Sequence, residues 1–336
     1  MRERWIDYSK ALGMLFIVWG HINYVDNEFI NNFFSYGKVV IFYMVAGAIF
    51  RQKEKSEFRV YFLKKTKSLF FPYLYFSLLA TLVSFLFNSF VAHKFVVSNI
   101  YDNLVKTILL RGIDTLWFLP TLFIGEILLY VVDANRMLKK ILIFIIPILF
   151  YVSFVLFKLD NIIVVKCLIS FWFLLIGNLL FEFFNLLKLS ENNKKIGLLL
   201  VLFLGHLIIL FVNGHVDLNN LVLGNNVLLY FIGSFLNGLI LIILSMLISN
   251  IGSIALLDFY GKQSLFIMGT HTALLILPVI EHIILKIMGK AELSMHYYLS
   301  CLVIFIVISI VEYIIWVSAK KIKNFFFDNR KKRRNI

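Results

Sequence analysis

Charge is what this sequence has least of. Of 336 residues only 15% are Asp, Glu, Lys or Arg while 61% are apolar, and the mean hydropathy is +0.89. That balance excludes the soluble globular class and reads as a polytopic membrane protein. Acids are scarcer than bases, 19 against 33, for a net charge of +14. The bases nevertheless sit in short segments between apolar runs with no soluble domain to hold them, which excludes nucleic acid as a partner. The two cysteines, Cys167 and Cys301, each lie inside an apolar run and offer neither a disulfide framework nor a metal-ligand spacing. Proline numbers 4 and glycine 17 against 36 Phe, so helices covered in bulky lipid-facing side chains are expected. HExxH, CxxC, GxGxxG, the P-loop and GxSxG are missing, and no carboxylates cluster, so metal, nucleotide and serine-elbow hydrolase chemistries lose their motifs. No internal repeat, low-complexity segment or appended soluble catalytic domain is visible. The N-terminal apolar run lacks a small-residue cleavage site and reads as a retained first helix.

What the chain has instead is apolar runs near the roughly 20 residues that one crossing requires. Ten are expected, at about 8–25, 33–50, 69–92, 116–132, 138–157, 162–187, 196–213, 227–248, 264–288 and 298–319. With the N-terminus in the cytoplasm, segments 1–10, 51–68, 133–140, 188–195, 249–263 and 320–336 hold 25 of the 33 Lys and Arg residues. The other eight, Lys38, Lys106 and Lys166 among them, fall in or near the opposite loops. This is the positive-inside pattern, and it predicts an even number of spans with both termini cytoplasmic. The expected fold is an all-α polytopic membrane helix bundle over 1–319, followed by a basic cytoplasmic tail, 320–336. The tail's RKKRR (Arg330 to Arg334) fixes orientation and attracts anionic membrane lipid.

The stretch from Arg4 to His21 carries ionisable groups into the first of these runs. At about 100° per residue, the step from Lys10 to His21 turns about 1100°, three turns plus roughly 20°, and Asp7 falls within about 40° of the same stripe. Lys10 and His21 stand roughly 16 Å apart along the axis. Ionisable residues in a membrane usually face a protein interior or a water-filled cavity, which makes the stripe a candidate site. The bland alternative is an interfacial Asp7–Lys10 pair with His21 at the far headgroup level.

Other segments offer weaker signals. In RQKEKSEFRVYFLKKTK (Arg51 to Lys67), lysines run directly into a helix start at Pro72; they serve topology or hold a phosphate-bearing donor. Gly112 to Pro120 places Trp117 at a span's start, where an aromatic belt residue is equally expected. Glu126 lies nine residues later inside a span and needs a partner. The 214–226 loop, GHVDLNNLVLGNN, suits hydroxyl-rich ligands or ordinary turns. His93, His215 and His296 fall in outer loops and carry little information. His206 and His282 read as helix-to-helix hydrogen-bonding residues. His271 opens the ninth span, with His282 on nearly the same face and a kink expected at Pro278.

Taken together, IDYSKALGMLFIVWGH resembles the opening of the integral-membrane acyltransferase type 3 family: an acid, a basic residue and, after ten more, a His. Lys10 stands where that family more often has Arg. Lys64-Lys65-Thr66-Lys67 before Pro72-Tyr73 is similar to its RxxR motif; both Arg positions are Lys here, which removes the bidentate fork and keeps the charge. LWFLPTLF (Leu116 to Phe123) and YGKQSLFIMGTH (Tyr260 to His271) resemble its Trp-Phe-Leu and Gly-x-x-Ser-Leu…His segments. The resemblance spans nearly the whole chain and is greatest to fucose 4-O-acetylase-like and exopolysaccharide O-acetyltransferase members. It implies transfer of an acyl group, usually acetyl from cytoplasmic acetyl-CoA, to a hydroxyl of a sugar or lipid-linked glycan; the missing ligand motifs make no metal expected.

On that footing the candidate catalytic residues are His21, Asp7, Lys10 and His271. His21 would act as general base, or His21 or His271 would carry the acetyl group transiently. Asp7 and Lys10 would order the donor path and Lys64 and Lys67 would meet the CoA phosphates. Trp117 and Glu126 are the candidate substrate-binding residues. The rivals are a transporter or flippase of a lipid-linked sugar, which broken helices and inverted repeats would favour, and a non-catalytic membrane partner whose polar stripe glues helices.

Overall fold

The structure, a computed structural model, describes residues 3–22, 28–50, 57–93, 97–152, 162–288 and 295–334. Residues 23–25 of the first expected span, 51–56 of the basic segment and 153–157 of the fifth span lie outside the described residues. The chain opens with α1 (Arg4–Gly20), α2 (Glu28–Ser35) and α3 (Val40–Ile49), and α4 (Phe58–Lys65) runs through a π-helical turn (Thr66–Phe70) into α5 (Phe71–Val91). Next, α6 (Ser98–Ile108) and a 3-10 turn (Asp114–Trp117) lead to α7 (Phe118–Val132) and α8 (Arg136–Tyr151). Then come α9 (Ile162–Leu179), α10 (Phe181–Leu189), α11 (Asn192–Asn213) and α12 (Val227–Ile251). The last four are α13 (Ala255–Lys262), α14 (Ser264–Thr270), α15 (Ile276–Met288) and α16 (Met295–Arg334). Among the described residues no strand forms, only an isolated bridge between Asp217 and Val222.

Local chemistry sets several of these ends. Pro72 follows directly on the π-helical turn inside the continuous run from Phe58 to Val91, where the widened turn accommodates a residue with no N–H to donate. Asn135 accepts from Leu138 N at 2.9 Å at the start of α8, and Asn226 accepts from Leu228 N at 2.8 Å at the start of α12. The expected basic tail, as far as it is described, continues α16 to Arg334 as helix.

Among the described residues six helices are long and apolar enough to cross a membrane: Asn31–Ile49, Phe58–Val91, Asp114–Val132, Asn192–Asn213, Val227–Ile251 and Leu299–Lys321. The pair Ile163–Leu179 and Phe181–Leu189, bent by 52°, makes a seventh if taken as one span. The other three expected runs are shorter or broken. α1 has 17 residues and α8 has 16. The ninth run is two helices rather than one: α14 ends at Thr270, residues 271–275 form a turn, and α15 begins at Ile276. The break therefore falls before Pro278, which sits in the first turn of α15 where proline fits, and His282 is exposed while His271 is fully buried. Leu275, at φ +60, and a Leu277 N–H donated to His271 O at 2.8 Å close the turn. Hydropathy does not register the break because the turn itself is apolar.

The helices sort into an inner and an outer set. In α12, 67% of the span is buried, against 17% in α11 and 28% in the spans of α5 and α16, whose remaining surfaces carry exposed Phe, Leu and Ile. α1 lies inside, with Trp5, Tyr8, Ala11, Met14, Ile17 and Val18 in the core. α3 and α9 cross in direct backbone contact: a Cβ on Gly47 would stand 2.1 Å from Leu174 O, and one on Gly177 would stand 2.0 Å from Met44 O. Small residues allow such close approach where lipid offers no hydrophobic drive for association. His206, fully buried, joins α11 to α2 through Nε2 and Phe33 O at 3.1 Å, the helix-joining role expected of it.

Candidate active site

His21 follows the last turn of α1, its N–H donated to Val18 O at 3.2 Å and the next N–H, of Ile22, to Trp19 O at 3.1 Å. Its ring lines a cavity of about 360 Å³ whose wall includes Lys38, Asn31, Ser35, Trp117, His215 and Asp217. The 214–226 loop covers this cavity and is stitched to the bundle by buried Asn213. That amide donates to Leu223 O at 3.1 Å and to the Tyr36 hydroxyl at 3.0 Å, and accepts from Asn226 N at 2.6 Å. Tyr36 in turn donates to Gly214 O at 2.9 Å. Asp217 Oδ1 accepts from Asn219 N at 2.9 Å and Oδ2 from the Asn220 amide at 2.6 Å, so its charge is held within the loop.

Trp117 is packed by cation–π contact rather than left at a membrane surface. Lys166 Nζ lies 4.2 Å from the ring centroid and donates to Asn219 Oδ1 at 3.3 Å, linking Trp117 to the covering loop. Lys38 stands beside the catalytic candidate: a Cβ on Gly20 would be 2.7 Å from Lys38 Nζ. No hydrogen bond or ion pair holds this ammonium among the described residues; Asp217 is the carboxylate whose field it feels.

The helix break brings His271 to His21, with ring centroids 5.5 Å apart at 60°. His271 Nδ1 lies 2.6 Å from Ile267 O. A carbonyl only accepts, so Nδ1 carries the proton and Nε2 keeps its lone pair, buried and without a hydrogen-bond partner among the described residues. Next to it, Thr270 donates to Glu312 Oε2 at 2.7 Å, placing a fully buried carboxylate behind the pair.

A second cavity of about 190 Å³ lies on the other side of Phe118 and Met268, which line both. Lys10 and Glu126 share its wall with Leu69, Leu122 and Ser264. Phe118 stacks on Tyr43 at 5.0 Å, and Thr115 donates to Met268 O at 2.8 Å, so both partition residues are anchored. The partner that Glu126 needs is Lys65, in ion-pair contact with Oε2, with the Tyr61 hydroxyl at 3.5 Å.

The candidates thus fall into groups. His21 and Trp117 line the larger cavity, with His271 buried against the His21 ring; Lys10 and Glu126 meet at the smaller one. Asp7 is buried against α13, where a Cβ on Gly261 would stand 2.2 Å from Asp7 O, and it lines neither cavity. Lys64 is exposed, and Lys67 lines a separate groove with Lys262, Gln263 and Tyr75. Lys38, His215 and Glu312 were not legible as site residues, although Glu312 is a lone acid inside an apolar run, the same signal that marks Glu126.

A family model described as an acyltransferase domain matches residues 3–314, from the residue before α1 into α16. No curated protein and no solved structure matches the chain.

Proposed function

This chain belongs to the acyltransferase family whose domain covers residues 3–314, and we propose that it moves an acetyl group from cytoplasmic acetyl-CoA to a hydroxyl of a cell-surface or lipid-linked glycan, with His21 as general base. In this reading the protein sits in the cell membrane with ten crossings and both termini cytoplasmic, which places Lys10 toward the cytosol and His21 toward the outer face.

The observation that carries the proposal is the pair of cavities meeting at Phe118 and Met268. The smaller, with Lys10, accommodates the acyl end of a thioester arriving from the cytoplasm. The larger, with the amides of Asn31, Asn219 and Asn220 and the Ser35 hydroxyl, offers donors and acceptors suited to a sugar. The His21 imidazole takes the proton of the attacking hydroxyl as its oxygen bonds to the thioester carbon, and the carbonyl electron pair moves onto oxygen. Collapse of that oxyanion breaks the C–S bond, and the thiolate leaves with the proton returned from His21. Lys38 supplies the nearby positive charge that a developing oxyanion needs. Lys67 with Lys262, at the rim of its own groove, supplies charge for the phosphates of CoA.

The partition also favours a second route, in which a histidine carries the acetyl group between cavities and each half-reaction runs separately. Protein incubated with labelled acetyl-CoA and denatured rapidly at neutral pH retains label in that case and carries none in the first. Either way His21→Ala stops acetylation of the glycan while the protein still inserts and accumulates. Normal product from that variant refutes the proposal.

A further inference from the structure

A second polar cavity, of about 280 Å³, lies between α5 and α6 and takes no part in the site described above. Its walls are Ser84 and Asn88 of α5, Asn99, Asp102, Asn103 and Lys106 of α6, and the Ile113–Asp114 link. Ser84 and Asn88 are one turn apart, and the four α6 residues follow the i, i+3, i+4, i+7 pattern of a single helix face. That face lines the cavity, with Asn103 buried and Asp102 and Lys106 exposed at its open side, while Tyr101 and Ile108 are 71% and 77% exposed on the opposite side of the helix. The Tyr73 hydroxyl, donating to Thr107 O at 2.8 Å, pins α6 to α5 in that orientation. Among the described residues the side chains of Ser84, Asn88, Asn99, Asp102 and Asn103 make no hydrogen bond to another protein group. Their donors and acceptors are left for the water or ligand that fills the cavity.

One short turn separates the cavity from the His21 chamber. Asp114, in a left-handed conformation at φ +48, lines the polar cavity, while Thr115 and Trp117 of the same 3-10 turn line the chamber. At about 2.0 Å of rise per residue, Asp114 and Trp117 stand about 6 Å apart along that turn, within the reach of linked sugar units.

We propose that this cavity is a saccharide subsite. It holds an uncharged sugar unit of the acceptor next to the unit whose hydroxyl is acylated at His21, so the substrate is an oligosaccharide or polymer. Two carboxylates against one ammonium disfavour a phosphate- or uronate-bearing unit here, whereas neutral hydroxyls match the amide, hydroxyl and carboxylate groups present. The inference rests on the acetyl-transfer reading above and is tested apart from it.

The test uses the full chain purified into nanodiscs, labelled acetyl-CoA, and fragments of the deacetylated host surface glycan ranging from single sugars to tetrasaccharides. Wild-type protein is expected to prefer tetrasaccharide over monosaccharide by at least about tenfold in kcat/KM. Asn88→Leu, and separately Ser84→Leu, should erase that preference while leaving the monosaccharide rate and the KM for acetyl-CoA unchanged, which also shows that the variants fold. A wild-type protein indifferent to length, or variants that keep the preference, overturns the subsite. Loss of the wild-type preference on adding EDTA also overturns it, because the cavity then binds a cation. Failure of the wild-type protein to acetylate any fragment refutes the acetyl-transfer reading instead.

Discussion

The ring of His21 lies 5.5 Å from that of His271, centroid to centroid, although the two belong to opposite ends of the chain. His271 is fully buried, its proton is committed to Ile267 O, and its Nε2 has no hydrogen-bond partner among the described residues. We assign it a positioning role. His271→Ala is expected to lower turnover about 100-fold, within the range that general acid–base groups contribute, with the KM for acetyl-CoA unchanged. A variant whose KM rises while turnover holds would place His271 in donor binding instead.

Lys38 tests the electrostatic part of the mechanism. Removing one oxyanion-stabilising group typically lowers kcat by about 10²–10³, so Lys38→Met should fall in that range and Lys38→Arg should recover much of the loss by restoring charge. Steady-state acetyl-CoA turnover reads this directly; equal rates for Lys38→Met and wild type remove the role.

The Lys65–Glu126 pair is a matter of stability before activity. Lys65→Met leaves the buried Glu126 carboxylate without its cation, an effect on the order of 3–5 kcal/mol. The double variant Lys65→Met with Glu126→Gln should recover most of that loss, as coupled neighbours do. Thermal unfolding in detergent distinguishes coupled from additive losses, and simple additivity contradicts the pairing.

Helix contact at Gly177 allows a sharper packing test. Its Cβ position is 2.0 Å from Met44 O, a backbone atom that cannot rotate away. Gly177→Leu should therefore force α3 and α9 apart and destabilise the protein by more than about 1 kcal/mol, seen as lower yield and earlier melting. Gly197, with nothing within 4 Å of its Cβ position, should accept the same change.

Much of this was legible from residue order. Apolar runs marked the helical class and placed six of the spans closely, since hydropathy reports what faces lipid. The eleven-residue step singled out His21, and the Tyr260–His271 segment singled out His271, but their meeting depends on a break at 271–275 that an apolar turn conceals. The stripe of Asp7, Lys10 and His21 follows one helix and its C-terminal cap, yet three different surroundings receive those residues: α13 packs against Asp7, the smaller cavity shared with Glu126 receives Lys10, and the chamber under the 214–226 loop receives His21. Lys38 read as a topology charge because a lysine between two apolar runs has the same sequence signature whether it faces water or a site. Lys65, rather than Lys64 or Lys67, turns inward because its neighbour across the interface is Glu126, a relation no local pattern states.

The central claim is that His21 performs acyl transfer onto a surface glycan. Mass analysis of cell-surface glycans from cells carrying the wild-type chain, His21→Ala at matched membrane abundance, or no chain tests it most directly. The account predicts one additional acetyl unit per modified repeat with wild type alone, and none with His21→Ala. Acetylation by His21→Ala at the wild-type level, or glycans identical with and without the chain, would contradict it.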